Sequence, residues 1–215
     1  MKALIYHVPR TGGNSLVRAL AGTRITGSTI GANFNQHVAA HVTEFFGTWP
    51  AVAGHFGWGV HERIAVADRV LLCAIFRDPV ERAFSMFRYE YDRVQRPGWS
   101  RGPDLESIAA FLDAKPWRCN TATRIMAGQG AHSEAHPDLG RALENLHRLD
   151  VVALTENLQR AVDRFAEFGM KVQPVGTHNA SKSVVRTFNL GEIHMVRERN
   201  AMDVALYERA RRVVS

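Results

Sequence analysis

The stretch Ala3-Leu-Ile-Tyr-His-Val-Pro9-Arg10-Thr-Gly-Gly-Asn-Ser15-Leu-Val-Arg-Ala-Leu20 decides how the rest of the chain is read. Ala3 to Val8 is a short, mostly apolar run closed by Pro9, as expected of a buried strand, and Leu16, Ala19 and Leu20 then recur at helical spacing. Strand, glycine loop and helix thus follow one another directly. Gly12 and Gly13 permit a tight turn and a close backbone approach to a ligand, while the first amides of the following helix lack intrahelical partners. An anion, most often a phosphate, suits such a loop.

In a nucleoside triphosphatase P-loop, G-x-x-x-x-G-K-[ST], a lysine follows the last glycine and a hydroxyl holds magnesium. Here Asn14 stands between Gly13 and Ser15, and the cation of the loop, Arg10, precedes the glycines. A phosphoryl-transferring P-loop enzyme is therefore the weaker reading; its nearest magnesium carboxylate would be Asp78, after Ile75-Phe76-Arg77. Pro9-Arg-Thr-Gly-Gly-Asn-Ser-Leu16 instead resembles the 5'-phosphosulfate loop of sulfotransferases that use 3'-phosphoadenosine 5'-phosphosulfate (PAPS), commonly P-K-T-G-G-T-S-L, and departs from it at two positions. Of the 27 basic residues only Lys2, Lys115, Lys171 and Lys182 are lysine, so arginine at position 10 follows a bias of the whole chain.

A second stretch carries the same resemblance. Val70 to Phe76 is an almost continuous apolar run, the pattern of a parallel strand covered on both faces. Pro79 then opens a helix with Val80, Phe84, Phe87 and Tyr91 on one face. A strand ending in arginine, then x-Pro-x-Glu-Arg and a serine eight residues beyond the first arginine, resembles the 3'-phosphate motif of the family; Arg77 to Ser85 has that spacing. An arginine at a strand end can hold a phosphate through two parallel hydrogen bonds, and a serine two turns into the next helix can add a third donor.

Between these stretches lies Ala51-Val-Ala-Gly-His55-Phe-Gly-Trp-Gly59, a short strand opening into glycines around one histidine. Ligands of doubly wound sheets bind beyond the carboxyl ends of the strands. Most of the ten histidines are expected at the surface or as satisfied hydrogen-bonding partners. His55 differs: it resembles the histidine of the Gly-His-Phe or Gly-His-Val segment of glycan sulfotransferases, which serves as general base, and an imidazole pKa suits that task near neutrality. His61 is the reserve candidate.

The remaining chain alternates loops, helices and strands. Gly22 to Asn35 reads as a loop with a short strand near Arg24 to Thr29, and Gln36 to Phe46 as a helix. Gln95 to Pro103 is a surface loop that could serve as an acceptor-side lid, after which Asp104 caps a helix with Leu105, Ile108, Phe111 and Leu112 inward. Asn120-Thr-Ala-Thr-Arg124-Ile-Met-Ala-Gly128 is similar to a helix common in the family; it is either a core helix ended by Gly128 or one that turns Arg124 towards the cofactor cleft. A helix over Asp138 to Leu149, a strand over Asp150 to Leu154, a helix capped by Thr155 and a last strand over Val172 to Val175 follow. Gly176 to Arg186 resembles the family's Asn-x-Ser segment, which closes over the 3'-phosphate and adenine; the resemblance assigns Ser181, Lys182 and Arg186 to the cofactor. Asn200 to Ala210 is like the family's closing, packing helix.

With 215 residues and 46% hydrophobic content, a single globular domain over 1–215 is expected. No apolar run is long enough to span a membrane, and the strand begins directly after Met1 without a signal peptide, so a cytoplasmic protein is expected. Cys73 and Cys119 suggest neither a disulfide nor a metal site. The net charge of +6 and pI near 9.8 suit a polyanionic partner such as a nucleotide cofactor or an acidic glycan, but the basic residues are scattered, which argues against nucleic acid.

The expected architecture is α/β, a mainly parallel sheet flanked by helices in a P-loop-like sulfotransferase fold, with PAPS across the strand ends. The resemblance implies in-line transfer of a sulfuryl group from PAPS to an acceptor hydroxyl or amine, leaving PAP, with no metal. His55 would take the acceptor's proton; Arg10, the amides of Thr11, Gly12, Gly13 and Asn14, and the Ser15 hydroxyl would stabilise charge on the leaving phosphate. Arg10 can hold that charge but is not expected to donate a proton to it, since a guanidinium stays protonated near neutral pH. The acceptor, whether glycan, lipid or small natural product, and the oligomeric state stay open, and an idle PAP-binding protein is the further alternative.

Overall fold

The computed structural model describes residues 1–20, 24–26, 34–94, 105–176 and 187–214. In chain order it forms β1 (Lys2–His7), α1 (Gly13–Ala19), β2 (Arg24–Thr26), α2 (Phe34–Thr48), β3 (Ala51–Gly54), β4 (Val70–Phe76), α3 (Pro79–Val94), α4 (Ile108–Asp113), α5 (Thr121–Met126), α6 (Leu139–Leu146), β5 (Val151–Leu154), α7 (Leu158–Glu167), α8 (Leu190–Arg199) and α9 (Ala201–Val214). Short 3-10 turns lie at Val60–Arg63, Pro116–Arg118 and Thr155–Asn157.

The five strands pair in the order β2-β3-β1-β4-β5, every pairing parallel. β1 is central because both of its faces are apolar. Leu4, Tyr6 and Val8 join Leu72, Ala74 and Phe76 against α5, α6 and α9, whereas Ala3 and Ile5 join Leu71, Cys73 and Ile75 against α1 and α7. The chain winds to one side of β1 through β2 and β3 and to the other through β4 and β5. Register brings Tyr6 level with Gly54 and His7 level with Ile75, so the segments leaving β1, β3 and β4 emerge together at one edge. That is the crevice in which an open parallel sheet takes its ligands.

A third cluster joins α3 to α4 and α8 through Phe84, Phe87, Ile108, Phe111 and Val196. Behind it a buried polar network fixes the helices. Asn120 Oδ1 accepts from the amides of Met202 and Asp203, and Asp203 Oδ1 accepts from the amide and hydroxyl of Thr123. The Arg82 guanidinium lies 3.7 Å from Asp203, both side chains being 1% exposed. The segment from Asn120 to Gly128 is therefore a core helix, ended by Gly128 at φ 86.

Several boundaries differ from expectation. The helix after the first loop extends over Phe34–Thr48, two residues beyond the expected limit at each end. Thr155 does not cap α7: Asn157 accepts from the Arg160 amide instead, and the Thr155 hydroxyl is drawn to the glycine loop. Val172 to Val175 forms no strand, only one antiparallel bridge from Val172 to Leu20, because Pro174 cannot donate to a ladder. Ser107, accepting from the Ala110 amide, caps α4; the expected cap Asp104 lies outside the described residues, as does the loop Gln95 to Pro103. Cys73 and Cys119 are free thiols. Among the described residues no helix is long and apolar enough to cross a membrane.

Candidate active site at the strand ends

The loop leaving β1 is built to turn sharply and stay put. Arg10 and Gly12 both adopt positive φ, 70° and 78°. At Gly12 a side chain would be strained, and its Cβ would sit 3.3 Å from Leu158 Cδ1 on α7. Thr11 is fully buried; its hydroxyl donates to the Val8 carbonyl at 2.7 Å, closing the turn from inside. The Thr155 hydroxyl lies 2.7 Å from the Thr11 carbonyl oxygen and 3.0 Å from that of Phe76, tying the loop to the end of β4. Gly13 and Asn14 occupy the first turn of α1, where amides have no intrahelical acceptor. The Ser15 amide folds back onto the Gly12 carbonyl at 2.9 Å, and its side chain is buried in the loop.

Two cations and a hydroxyl converge beside this loop. Arg10 donates from Nε to Ser85 Oγ at 3.1 Å, and its guanidinium rests 4.7 Å from the centre of the Tyr89 ring. Arg77, directly after β4, donates from Nη1 to the Arg10 carbonyl at 3.2 Å and lies 3.5 Å from Glu81. Residues separated by 67 and 75 positions thus share one small volume. Burial lowers the pKa of Arg10; the Tyr89 hydroxyl acts in the opposite sense and the Arg77 charge in the same one. Asp78 is occupied elsewhere: its Oδ1 accepts from the amides of Val80 and Glu81 at 2.9 and 3.0 Å and caps α3.

On the other side of β1, His55 follows the last residue of β3. Its Nδ1 donates to the His7 carbonyl at 2.5 Å, which fixes the tautomer and leaves Nε2 as the nitrogen with the free lone pair. Burial pushes its pKa below the usual 6.5, partly offset by the hydrogen bond to His7. The imidazole is neutral at pH 7 and so able to accept a proton. The loop that carries it is wedged in place: a Cβ on Gly57 would lie 2.7 Å from the backbone of Gly128 and Gly130, and the Trp58 amide donates to the Ile125 carbonyl at 2.7 Å.

His61, the reserve candidate, packs away from this edge. It shares a 2.6 Å hydrogen bond with the Tyr6 hydroxyl and its ring meets that of Trp58 at 4.8 Å, inside the aromatic group on the opposite face of β1. Arg124 is 4% exposed and its guanidinium reaches the carbonyls of Cys119, Pro116 and Ala135, a structural use rather than a turn towards the cleft. Ser181, Lys182 and Arg186 lie outside the described residues. Three residues of the site were not singled out from the sequence: His7, read only as part of a strand; Tyr89, given no role; and Thr155, read as a cap. Tyr89 alone had a readable clue, its position one helical turn beyond Ser85.

No family model matches the sequence, and no curated protein matches it. Among solved structures it is similar to the crystal structure of a sulfotransferase from Alicyclobacillus acidocaldarius, at 19% identity and a TM-score of 0.53, over 96% of this chain and 94% of that one. The chain has a sulfotransferase fold. The sulfotransferase fold accounts for the central β1, the loop that follows it and the α/β layers as one architecture, in agreement with the expectation from the two motifs.

Proposed function

We propose that the protein is a sulfotransferase that uses PAPS as donor and transfers its sulfuryl group to an acceptor hydroxyl or amine. The observation that carries this reading is the meeting of Arg10, Arg77 and Ser85 beside the loop of Gly12 and Gly13, on a fold shared with a sulfotransferase. The donor set suits a nucleotide with a sulfonated 5'-phosphate and a separate 3'-phosphate: first-turn amides, two guanidiniums and a hydroxyl, with glycine backbone where a Cβ would intrude. Bound there, PAPS supplies an activated sulfuryl group and a phosphate leaving group.

Each residue then has a definite task. Arg77 and Ser85 would hold the 3'-phosphate, and Ser181, Lys182 and Arg186 would belong to the segment that closes over it. Arg10, the amides of Thr11 to Asn14 and the Ser15 hydroxyl would bind negative charge on the 5' side, in a site where burial strengthens such contacts. His55 would take the proton from the acceptor at Nε2, its Nδ1–H being committed to His7. Arg10 is a charge holder only, since a guanidinium stays protonated at pH 7.

The test needs no acceptor. PAP without metal should raise the melting temperature far more than ADP at equal concentration, by roughly 5 to 10 °C at about a hundred times its dissociation constant. An equal response to PAP and ADP, or one that requires magnesium, would overturn the donor assignment in favour of a phosphotransferase. PAP binding without turnover of PAPS on any acceptor would leave the idle PAP-binding protein.

A further inference from the structure

We propose that His7 is a positioning residue, its imidazole held in contact with both Gly13 and the His55 ring so that the donor loop and the base keep one fixed separation. This rests on the reading of the loop as the donor site and of His55 as the base.

His7 ends β1, on the strand that carries the loop, and is 8% exposed. Its ring lies flat against Gly13: a Cβ built there would fall 2.1 Å from Nε2, 2.2 Å from Cδ2 and 2.6 Å from Cε1. Gly13 sits in α1 with an ordinary helical backbone, so it is the His7 ring, not a backbone strain, that forbids a side chain at this position. The same ring packs against His55, centroids 4.6 Å apart and planes tilted by 35°, while the His7 carbonyl accepts the His55 Nδ1–H. One residue therefore touches the loop with its side chain and the base with both side chain and backbone.

The spacer is also chemically silent. Nδ1 of His7 is buried without a hydrogen-bond partner, and burial together with the neighbouring His55 and Arg10 pushes its pKa down to about 3. A proton taken by His55 is not shared with it. In-line transfer requires the nucleophile and the leaving group to be held on one line, and small errors in that placement are costly; a neutral ring between loop and base sets the placement without adding charge.

The inference is tested by a double-mutant cycle on PAP affinity, measured by calorimetry on the full chain, with Gly13→Ala, His7→Ala and the pair. Gly13→Ala alone is expected to weaken PAP binding at least tenfold, and the same substitution in the His7→Ala background by less than threefold; equal costs in both backgrounds overturn the proposal. The second measurement is the ¹⁵N spectrum of the His55 ring, which a merely structural role for His7 would leave alone. His7→Ala keeps the backbone carbonyl that accepts from His55, so the Nδ1–H tautomer is expected in both proteins. Loss of the ring packed on His55 should move its ¹⁵N titration up towards the ordinary imidazole value, and an unchanged His55 titration also overturns the proposal. Should His7→Ala not fold, both arms are run with His7→Asn. Wild-type protein that fails to bind PAP sinks the donor reading itself, and is seen before any variant is made; wild-type binding with an additive cycle sinks the role of His7 alone.

Discussion

Arg77 donates a hydrogen bond from Nη1 to the backbone carbonyl of Arg10, 3.2 Å away, so the guanidinium at the end of β4 braces the loop at the end of β1. Arg77→Ala removes both that brace and the proposed bidentate contact to the 3'-phosphate. PAP affinity should fall by about 2 to 5 kcal/mol, the usual cost of deleting one partner of a buried charged contact. The circular dichroism spectrum should stay as in the wild type, since Arg77 lies at a strand end and not in the core. Unchanged affinity in a calorimetric titration would remove Arg77 from the site.

His55→Ala should lower kcat by about 10² to 10⁴, the range expected for loss of a general base, once an acceptor is in hand. Its PAP affinity should stay within about twofold of wild type. A variant that keeps half the wild-type rate would make His55 structural.

The acid limb of the rate profile is fixed by the direction of the His55 shift. Burial places its pKa below 6.5, so the base remains neutral and active somewhat further into acid than a free imidazole would, and activity falls only as pH drops below that lowered value. An acid limb centred above 6.5 in kcat/KM would contradict this.

His7 links acid to stability in the same sense. Folded His7 titrates near 3 and an unfolded histidine near 6.5, so between these values the unfolded chain binds the extra proton. Stability from neutral His7 is complete above pH 6.5 and is lost towards pH 3, by up to about 1.4 kcal/mol per pH unit. Urea midpoints of wild type and His7→Asn at pH 7 and pH 5 measure it; the variant should lose less on acidification.

Asp203→Ala should be among the most destabilising single changes. It strips the acceptor from the Thr123 amide and hydroxyl and leaves the Arg82 charge, 1% exposed, without its carboxylate. A loss of about 3 to 5 kcal/mol is expected in chemical denaturation. Replacing Arg82 and Asp203 together by apolar residues should cost less than Asp203→Ala, which a comparison of the two denaturation curves decides.

How far the sequence reached depended on distance along the chain. The Arg10 loop and the unit from Arg77 to Ser85 were legible because strand, turn and helix follow one another there, and residue spacing alone fixes which groups share a surface. His7 was not legible, because its meaning comes from His55, 48 residues away, and from the side of β1 to which its ring turns. Asp203 reads as one more acidic residue on a helix; only the fold brings it under Thr123, 80 positions earlier. The Thr155 error has the same origin. Threonine before an amphipathic helix is a fair cap, but here a loop carbonyl from another element competes for its hydroxyl and Asn157 takes over at α7.

The Thr155 hydroxyl also ties the glycine loop to a segment made much later in synthesis. Its acceptor, the Thr11 carbonyl, is translated 144 positions before Thr155 itself. A nascent chain therefore carries its glycine loop over that whole interval before this hydrogen bond can form. A fragment ending before Thr155 would contain all five strands but lack α7 and this lock, and so would leave the glycine loop without one of its supports even though both recognisable motifs lie within it.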